Sequence, residues 1–217
     1  MTVERSIAAS LHGRYLVDVP DGPGPFPLLV GFHGYAEDAA TQLERIRAAP
    51  SANRWLIAAV MGLHRFYRRR NGEVVASWMT RQDRDQMILD NVAYVSGVVE
   101  AISREWPLSR HVVFAGFSQG VGTAFRTACR IERPVDGLVA VGGDVPPELD
   151  RESLRRIPRV LIGRGDRDEQ YTEEKCASDE SRLFAAGVHL EVCRFAGGHD
   201  WPAEVNRGVG DFLGQFL

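Results

Sequence analysis

Ser118 stands between two glycines in Gly116-Phe117-Ser118-Gln119-Gly120, directly after the apolar run His111-Val112-Val113-Phe114-Ala115 and before a helix-compatible segment. A serine on a sharp strand-to-helix turn has the geometry of a nucleophile, and the flanking glycines relieve clashes among strand, turn and helix. Serine is a poor nucleophile at neutral pH. Acyl transfer therefore requires a base, a group that orients the base, and donors for the developing oxyanion.

The expected base is His199, in the turn Ala196-Gly197-Gly198-His199 that follows the strand-like Leu190-Glu191-Val192-Cys193-Arg194-Phe195. Its competitors suit the role less well. His12 and His111 precede strands, His189 opens one, and His64 lies in a long connection. For the orienting acid, Gly163-Arg164-Gly165-Asp166-Arg167-Asp168 follows the apolar run Val160 to Ile162, which yields the chain order serine, acid, histidine. Asp168 is favoured, Asp166 is the alternative because an acid near a strand end can instead hold the turn, and Asp144 is the outside candidate. Expected oxyanion donors are the backbone amides of Gln119 and Tyr35, with Gly34 the lesser choice. His33 would border the substrate while bracing its loop rather than serving as a second base.

These groups must be carried by elements that bring them to one edge. Leu28 to Phe32, Trp55 to Val60, Val112 to Ala115, Leu138 to Val141 and Val160 to Ile162 are short continuous apolar runs, the pattern of parallel strands buried on both faces. Arg14 to Val19 alternates and reads as an antiparallel edge strand. Helical stripes lie between them: Ile88, Val92, Val95, Val99 and Ile102; Leu43 and Ile46 in a helix from about Asp38 to a stop at Pro50; and Val205, Val209, Phe212 and Phe216 in a helix with Pro202 at its first position. Another helix should run from about Thr172 to Gly187. Alternating strands and helices imply a three-layer α/β domain spanning residues 1–217, a mostly parallel sheet with helices on both faces. In such a sheet the functional loops leave the carboxyl ends of the strands, where Ser118, His199 and the aspartates stand.

Composition narrows the partners. The chain has 217 residues, 25% of them charged, and a net charge of −3, with Arg68-Arg69-Arg70 the one dense basic run. Nucleic acid is therefore not expected, and the arginine run reads as a solvated loop. No stretch approaches membrane-spanning length and the amino terminus lacks a signal-peptide core, so neither membrane insertion nor secretion is expected. The three cysteines, Cys129, Cys176 and Cys193, have neither disulfide nor zinc spacing. They read as small hydrophobes in a cytoplasmic, reduced setting, with no metal site.

Taken together, the motifs resemble the α/β-hydrolase superfamily, and within it the phospholipase/carboxylesterase group that includes acyl-protein thioesterases. His33-Gly34, the Ser118 elbow, Gly165-Asp166-Arg167-Asp168 and Gly197-Gly198-His199 fall in that family's order and span most of the chain. The resemblance implies an α/β-hydrolase fold without a large cap domain, and hydrolysis of small to medium acyl esters or thioesters through an acyl-enzyme on Ser118. It implies no cofactor, and it leaves a homodimer open.

Family alignment favours Asp168, although Glu169-Gln170-Tyr171 replaces the usual proline and apolar residue after the acid. Tyr35-Ala36-Glu37-Asp38 likewise stands where a Gly-Asp pair is usual. Trp78 resembles a tryptophan that the family places near its site. With Phe66 it is expected to line the acyl pocket from the long segment Met61 to Arg81, the alternative being an aromatic cluster that packs this segment onto the sheet. Two other functions remain: a ligand-binding protein on a hydrolase scaffold, or a hydrolase of a peptide or carbon-carbon bond.

Overall fold

A computed structural model describes residues 1–217, of which the first 13 carry no regular element and are exposed. The ordered elements begin with strands β1 (Arg14–Asp18) and β2 (Phe26–Phe32), helix α1 (Ala39–Arg47), strand β3 (Leu56–Met61), and strands β4 (His64–Tyr67) and β5 (Val74–Ser77). Helix α2 (Arg84–Glu105), strand β6 (Leu108–Phe117), helix α3 (Gln119–Ala128), strand β7 (Gly137–Val141) and the short α4 (Arg151–Leu154) follow. Strand β8 (Arg159–Gly165), helix α5 (Glu173–Ala186), strand β9 (His189–Phe195) and helix α6 (Ala203–Gly214) complete the chain.

Seven strands form one sheet in the order β1-β3-β2-β6-β7-β8-β9. All neighbours are parallel except β1, which runs antiparallel to β3 at the edge, as its alternating pattern predicts. Every residue of β2, β3 and β7 is buried, because helices cover both faces of the sheet. Successive residues of β2 divide between two cores: Leu28, Val30 and Phe32 face Val95, Val99 and Ile102 of α2 and Phe125 of α3, whereas Leu29 joins Ile46 of α1 and Val205, Val209 and Phe212 of α6. That alternation is the two-residue period of a strand expressed in a three-layer fold.

Local signals set the helix ends. Asp38 caps α1 by accepting from Thr41 N at 2.8 Å, Thr172 caps α5, and Gly187 ends α5 in the left-handed region at φ 79°. Three expectations shift slightly. Helix α1 stops at Arg47 rather than at Pro50, Pro202 caps α6 from outside its first turn, and Val92 is only half buried while Val98 completes the inner face of α2.

Within the connection Met61 to Arg81 lies a feature that periodicity did not reveal, a hairpin of β4 and β5 separate from the main sheet. Its turn closes through Gly72 N to Arg68 O at 2.9 Å, with Gly72 at φ 72°. The pair Asn71-Gly72 between two β-prone runs is a hairpin signal. The hairpin is tied to the loop after β2, since Ala36 N donates to Ala76 O at 3.0 Å and Ala76 N to Glu37 O at 2.8 Å. No helix is long and apolar enough to cross a membrane.

Candidate active site

Ser118 sits between β6 and α3 at φ 50°, ψ −119°, outside the regions that a non-glycine residue ordinarily occupies. Such a backbone costs roughly 1–3 kcal/mol and persists because its surroundings impose it. Ser118 N donates to Val141 O at 2.9 Å, and Val121 N donates to Ser118 O at 3.0 Å. Neither flanking glycine can be enlarged in place: a Cβ on Gly116 would lie 2.7 Å from Val121 N, and one on Gly120 would lie 2.6 Å from His33 O. The elbow is thus a close three-way contact of β6, α3 and the loop after β2.

At the carboxyl end of β9, His199 places Nε2 2.8 Å from Ser118 Oγ and Nδ1 2.9 Å from Asp168 Oδ2. A carboxylate can only accept here, so Nδ1 carries the proton and Nε2 is left to accept from the serine hydroxyl. The Asp168 side chain is 1% exposed, and its other oxygen accepts from Gln170 N at 2.8 Å and Tyr171 N at 2.9 Å. Asp166 lies elsewhere. It is exposed, and its Oδ1 accepts from Gly197 N at 2.9 Å, which ties the acid loop to the histidine loop. Asp144 is exposed and does not bond His199. Gly142, at φ 62°, passes so near the imidazole that a Cβ there would lie 3.2 Å from His199 Cε1.

The loop after β2 faces the elbow. Gly62 N donates to His33 Nε2 at 2.9 Å, which leaves the proton on Nδ1, 2.7 Å from Gly34 O. Burial lowers the His33 pKa and keeps the ring neutral. Gly34 N donates to Glu37 Oε2 at 2.7 Å, and Arg45 clamps the same carboxylate with contacts of 2.6 and 2.7 Å. Burial alone would raise the Glu37 pKa, but Arg45 and the Gly34 amide outweigh it and hold the carboxyl below its usual range. Tyr35 N, between these bonded groups, donates to no acceptor in the protein. Gln119 N opens α3, where first-turn amides have no intrahelical partner.

Two of the expected substrate-lining residues prove to be internal. Trp78 and His33 are both fully buried, and Trp78 Nε1 donates to His33 O at 2.8 Å. They cannot present a wall to a substrate. The indole packs against Phe32 and His33 because the hairpin folds inward at that point, so the aromatic side chain serves the loop. Phe66, by contrast, is on the surface, its ring centroid 5.7 Å from that of Tyr35.

Sequence reasoning missed three further contributors. The Gln119 side chain accepts from Trp78 N at 2.9 Å and donates to Met79 O at 3.0 Å, joining the elbow to the end of β5. The Phe117 ring lies 5.1 Å from that of His199, centroid to centroid and tilted by 38°, and the Arg45 guanidinium lies 4.2 Å from the Phe117 ring centre. A glutamate eight residues before an arginine was the one signal of that clamp. The cysteines stay out of the chemistry: burial pushes the Cys129 and Cys176 thiols up to about 11, the opposite of an activated thiol.

No family model matches the chain, and no curated protein matches it in sequence. Solved structures do. A Bacillus cereus carboxylesterase superimposes with a TM-score of 0.72 at 16% identity, over 94% of this chain and 95% of that one. Zea mays acyl-protein thioesterase 2 gives 0.73 at 18% identity over 94% of this chain and 99% of that one. A carboxylesterase from Mesorhizobium loti gives 0.69 at 22% identity, over 87% of this chain and 88% of that one. The likeness covers nearly the whole length of each and is one of fold: the chain has the α/β-hydrolase fold.

Proposed function

From an α/β-hydrolase fold that carries a continuous serine, histidine and aspartate chain at its strand ends, we propose that this protein is a serine hydrolase of carboxylic esters or thioesters. The observation that carries the reading is the pair of contacts on one imidazole, 2.8 Å to Ser118 Oγ and 2.9 Å to Asp168 Oδ2. Ser118 Oγ attacks the carbonyl carbon as its proton passes to His199 Nε2. Asp168 stabilises the imidazolium by accepting from Nδ1.

The carbonyl oxygen becomes an oxyanion in this step and needs donors fixed in advance. Tyr35 N and Gln119 N take that role, and Gly34 N is excluded because Glu37 already occupies it. Collapse of the tetrahedral intermediate expels the alcohol or thiol with the proton from His199 Nε2, which leaves the acyl group on Ser118. Water then adds to the acyl carbon as its proton passes to the same nitrogen, and the second intermediate collapses by breaking the bond to Ser118 Oγ, which takes that proton back as the acid leaves. Substrates of small to medium acyl length suit a site with no cap domain above it, and no step calls on a cofactor. The likeness to carboxylesterases and an acyl-protein thioesterase supports this choice of bond over a peptide or carbon-carbon bond.

A fluorophosphonate probe tests it. Wild-type protein should be labelled on Ser118 and Ser118→Ala should not; labelling that survives the substitution defeats the proposal. Hydrolysis rates on matched ester and thioester series of increasing acyl length then define the preferred acyl group.

A further inference from the structure

Asp179, on the inner face of α5, is a carboxylate that the proposed chemistry does not use, yet it is 3% exposed. Its Oδ2 accepts from Tyr171 Oη at 3.1 Å and from Val145 N at 2.9 Å, and Arg182 Nη1 stands 3.5 Å from Oδ1. Those partners belong to two different loops. Tyr171 ends the loop that presents Asp168, and Val145 lies in the loop that follows β7.

Both loops touch the relay. Tyr171 is held at three points: its amide donates to Asp168 Oδ1 at 2.9 Å, its carbonyl accepts from Arg164 Nε at 3.0 Å, and its hydroxyl reaches Asp179. The ring between them is buried, so the phenol acts as a strut from Asp179 to the acid. The other loop begins at Gly142 and Gly143, where an added Cβ would lie 3.2 Å from His199 Cε1 and would collide with the Ser118 carbonyl, respectively. Farther along, Arg182 donates to the carbonyls of Val145 and Pro146 at 2.8 Å and of Leu149 at 2.9 Å.

We propose that Asp179 is a positioning residue, holding through Tyr171 and Val145 the two loops between which His199 works; this rests on the serine-hydrolase reading. A buried carboxylate with an imperfect ion pair is costly, and a hydrophobic residue of similar size is often as stable. Burial raises the Asp179 pKa, the mark of that cost. The charge is well used if two loops depend on its lone pairs.

Asp179→Leu, which removes both acceptors at similar volume, and Tyr171→Phe test this against wild type. Two readouts are followed: the pH dependence of fluorophosphonate labelling, and the downfield proton resonance of the His199 Nδ1 to Asp168 hydrogen bond. The groups facing Asp179 are Tyr171, Arg182 and Asp144, and those facing His199 are Ser118 and Asp168, so a shifted labelling profile in either variant reports the relay.

Each variant should slow labelling by about 10- to 100-fold, the cost of a small misplacement, and should move or broaden the downfield resonance. The double variant should be no slower than Asp179→Leu alone, since both cut one strut. Wild-type labelling and an unmoved resonance, with only a lower melting temperature, overturn the proposal. Tyr171→Phe keeps the buried ring and carries the test should Asp179→Leu fail to fold. If wild type is not labelled at all, the hydrolase reading fails, and the resonance alone then decides whether Asp179 orients His199.

Discussion

His199 Nδ1 lies 2.9 Å from Asp168 Oδ2, whereas Asp166, two residues earlier on the same loop, turns its Oδ1 to the Gly197 amide at 2.9 Å. One aspartate meets the imidazole; the other meets the turn that carries it. Asp168→Ala should therefore lower kcat by about 10³- to 10⁴-fold, as expected when the imidazole loses the group that sets its tautomer. Asp166→Ala should stay within about tenfold of wild type, because its loss loosens the turn without unpairing the ring. Steady-state rates on a simple ester compare the two, and equal losses would show that the proposed acid is wrong.

The unpaired amide of Tyr35 makes a second prediction, in which the backbone rather than the phenol is varied. Tyr35→Ala keeps the donor and should keep kcat. Tyr35→Pro removes the N–H and should cost about 10²- to 10³-fold in kcat, as loss of one oxyanion donor does. Circular dichroism of both variants establishes that the fold survives, and equal activity of the two would remove Tyr35 from the proposed oxyanion hole.

Much of this site was legible because its chemistry is written locally. Glycines around Ser118, glycines before His199 and the aspartates after an apolar run are short-range patterns, and each marks a strand end on a parallel sheet. The choice between Asp166 and Asp168 was less legible, since both stand on one loop and only their burial and their partners in the fold separate them. Trp78 and His33 stay open in the sequence between lining the site and bracing its loop for a related reason, since sequence shows an aromatic group near a site but not which way it faces; the fold makes both of them braces. Their bond, from Trp78 Nε1 to His33 O, joins positions 45 residues apart. The β4–β5 hairpin has a local sign in Asn71-Gly72, but its four-residue strands are too short for a clear two-residue period. The pairing of Tyr171 with Asp179 had no such sign.

Trp78 offers a third test, of a brace rather than a wall. Trp78→Phe retains an aromatic ring but leaves the buried His33 carbonyl without its donor, which should lower the unfolding free energy by about 1–3 kcal/mol. Because the indole touches no substrate, KM should change by less than about threefold, with any loss falling on kcat. Denaturant melts and ester kinetics measure the two effects, and a large rise in KM with unchanged stability would restore Trp78 to the pocket wall.

The last prediction concerns pH and a pair outside the relay. Burial would raise the Glu148 pKa, but hydrogen bonds from Arg126 at 2.6 Å and Arg84 at 3.2 Å more than offset it and hold the carboxyl at about 2 against an ordinary 4.5. This ties α3 and α2 to the loop before α4. A carboxylate whose folded pKa is depressed binds fewer protons in the native than in the unfolded chain, so its contribution is present above the unfolded value and is lost as pH falls toward the folded one. The stability advantage of wild type over Glu148→Gln should accordingly be full at pH 6, shrink from about pH 5 downward, and be largely gone near pH 2. Urea unfolding of both proteins across that range measures it. An advantage that stayed constant with pH would mean that Glu148 acts through packing or neutral hydrogen bonds rather than through its charge.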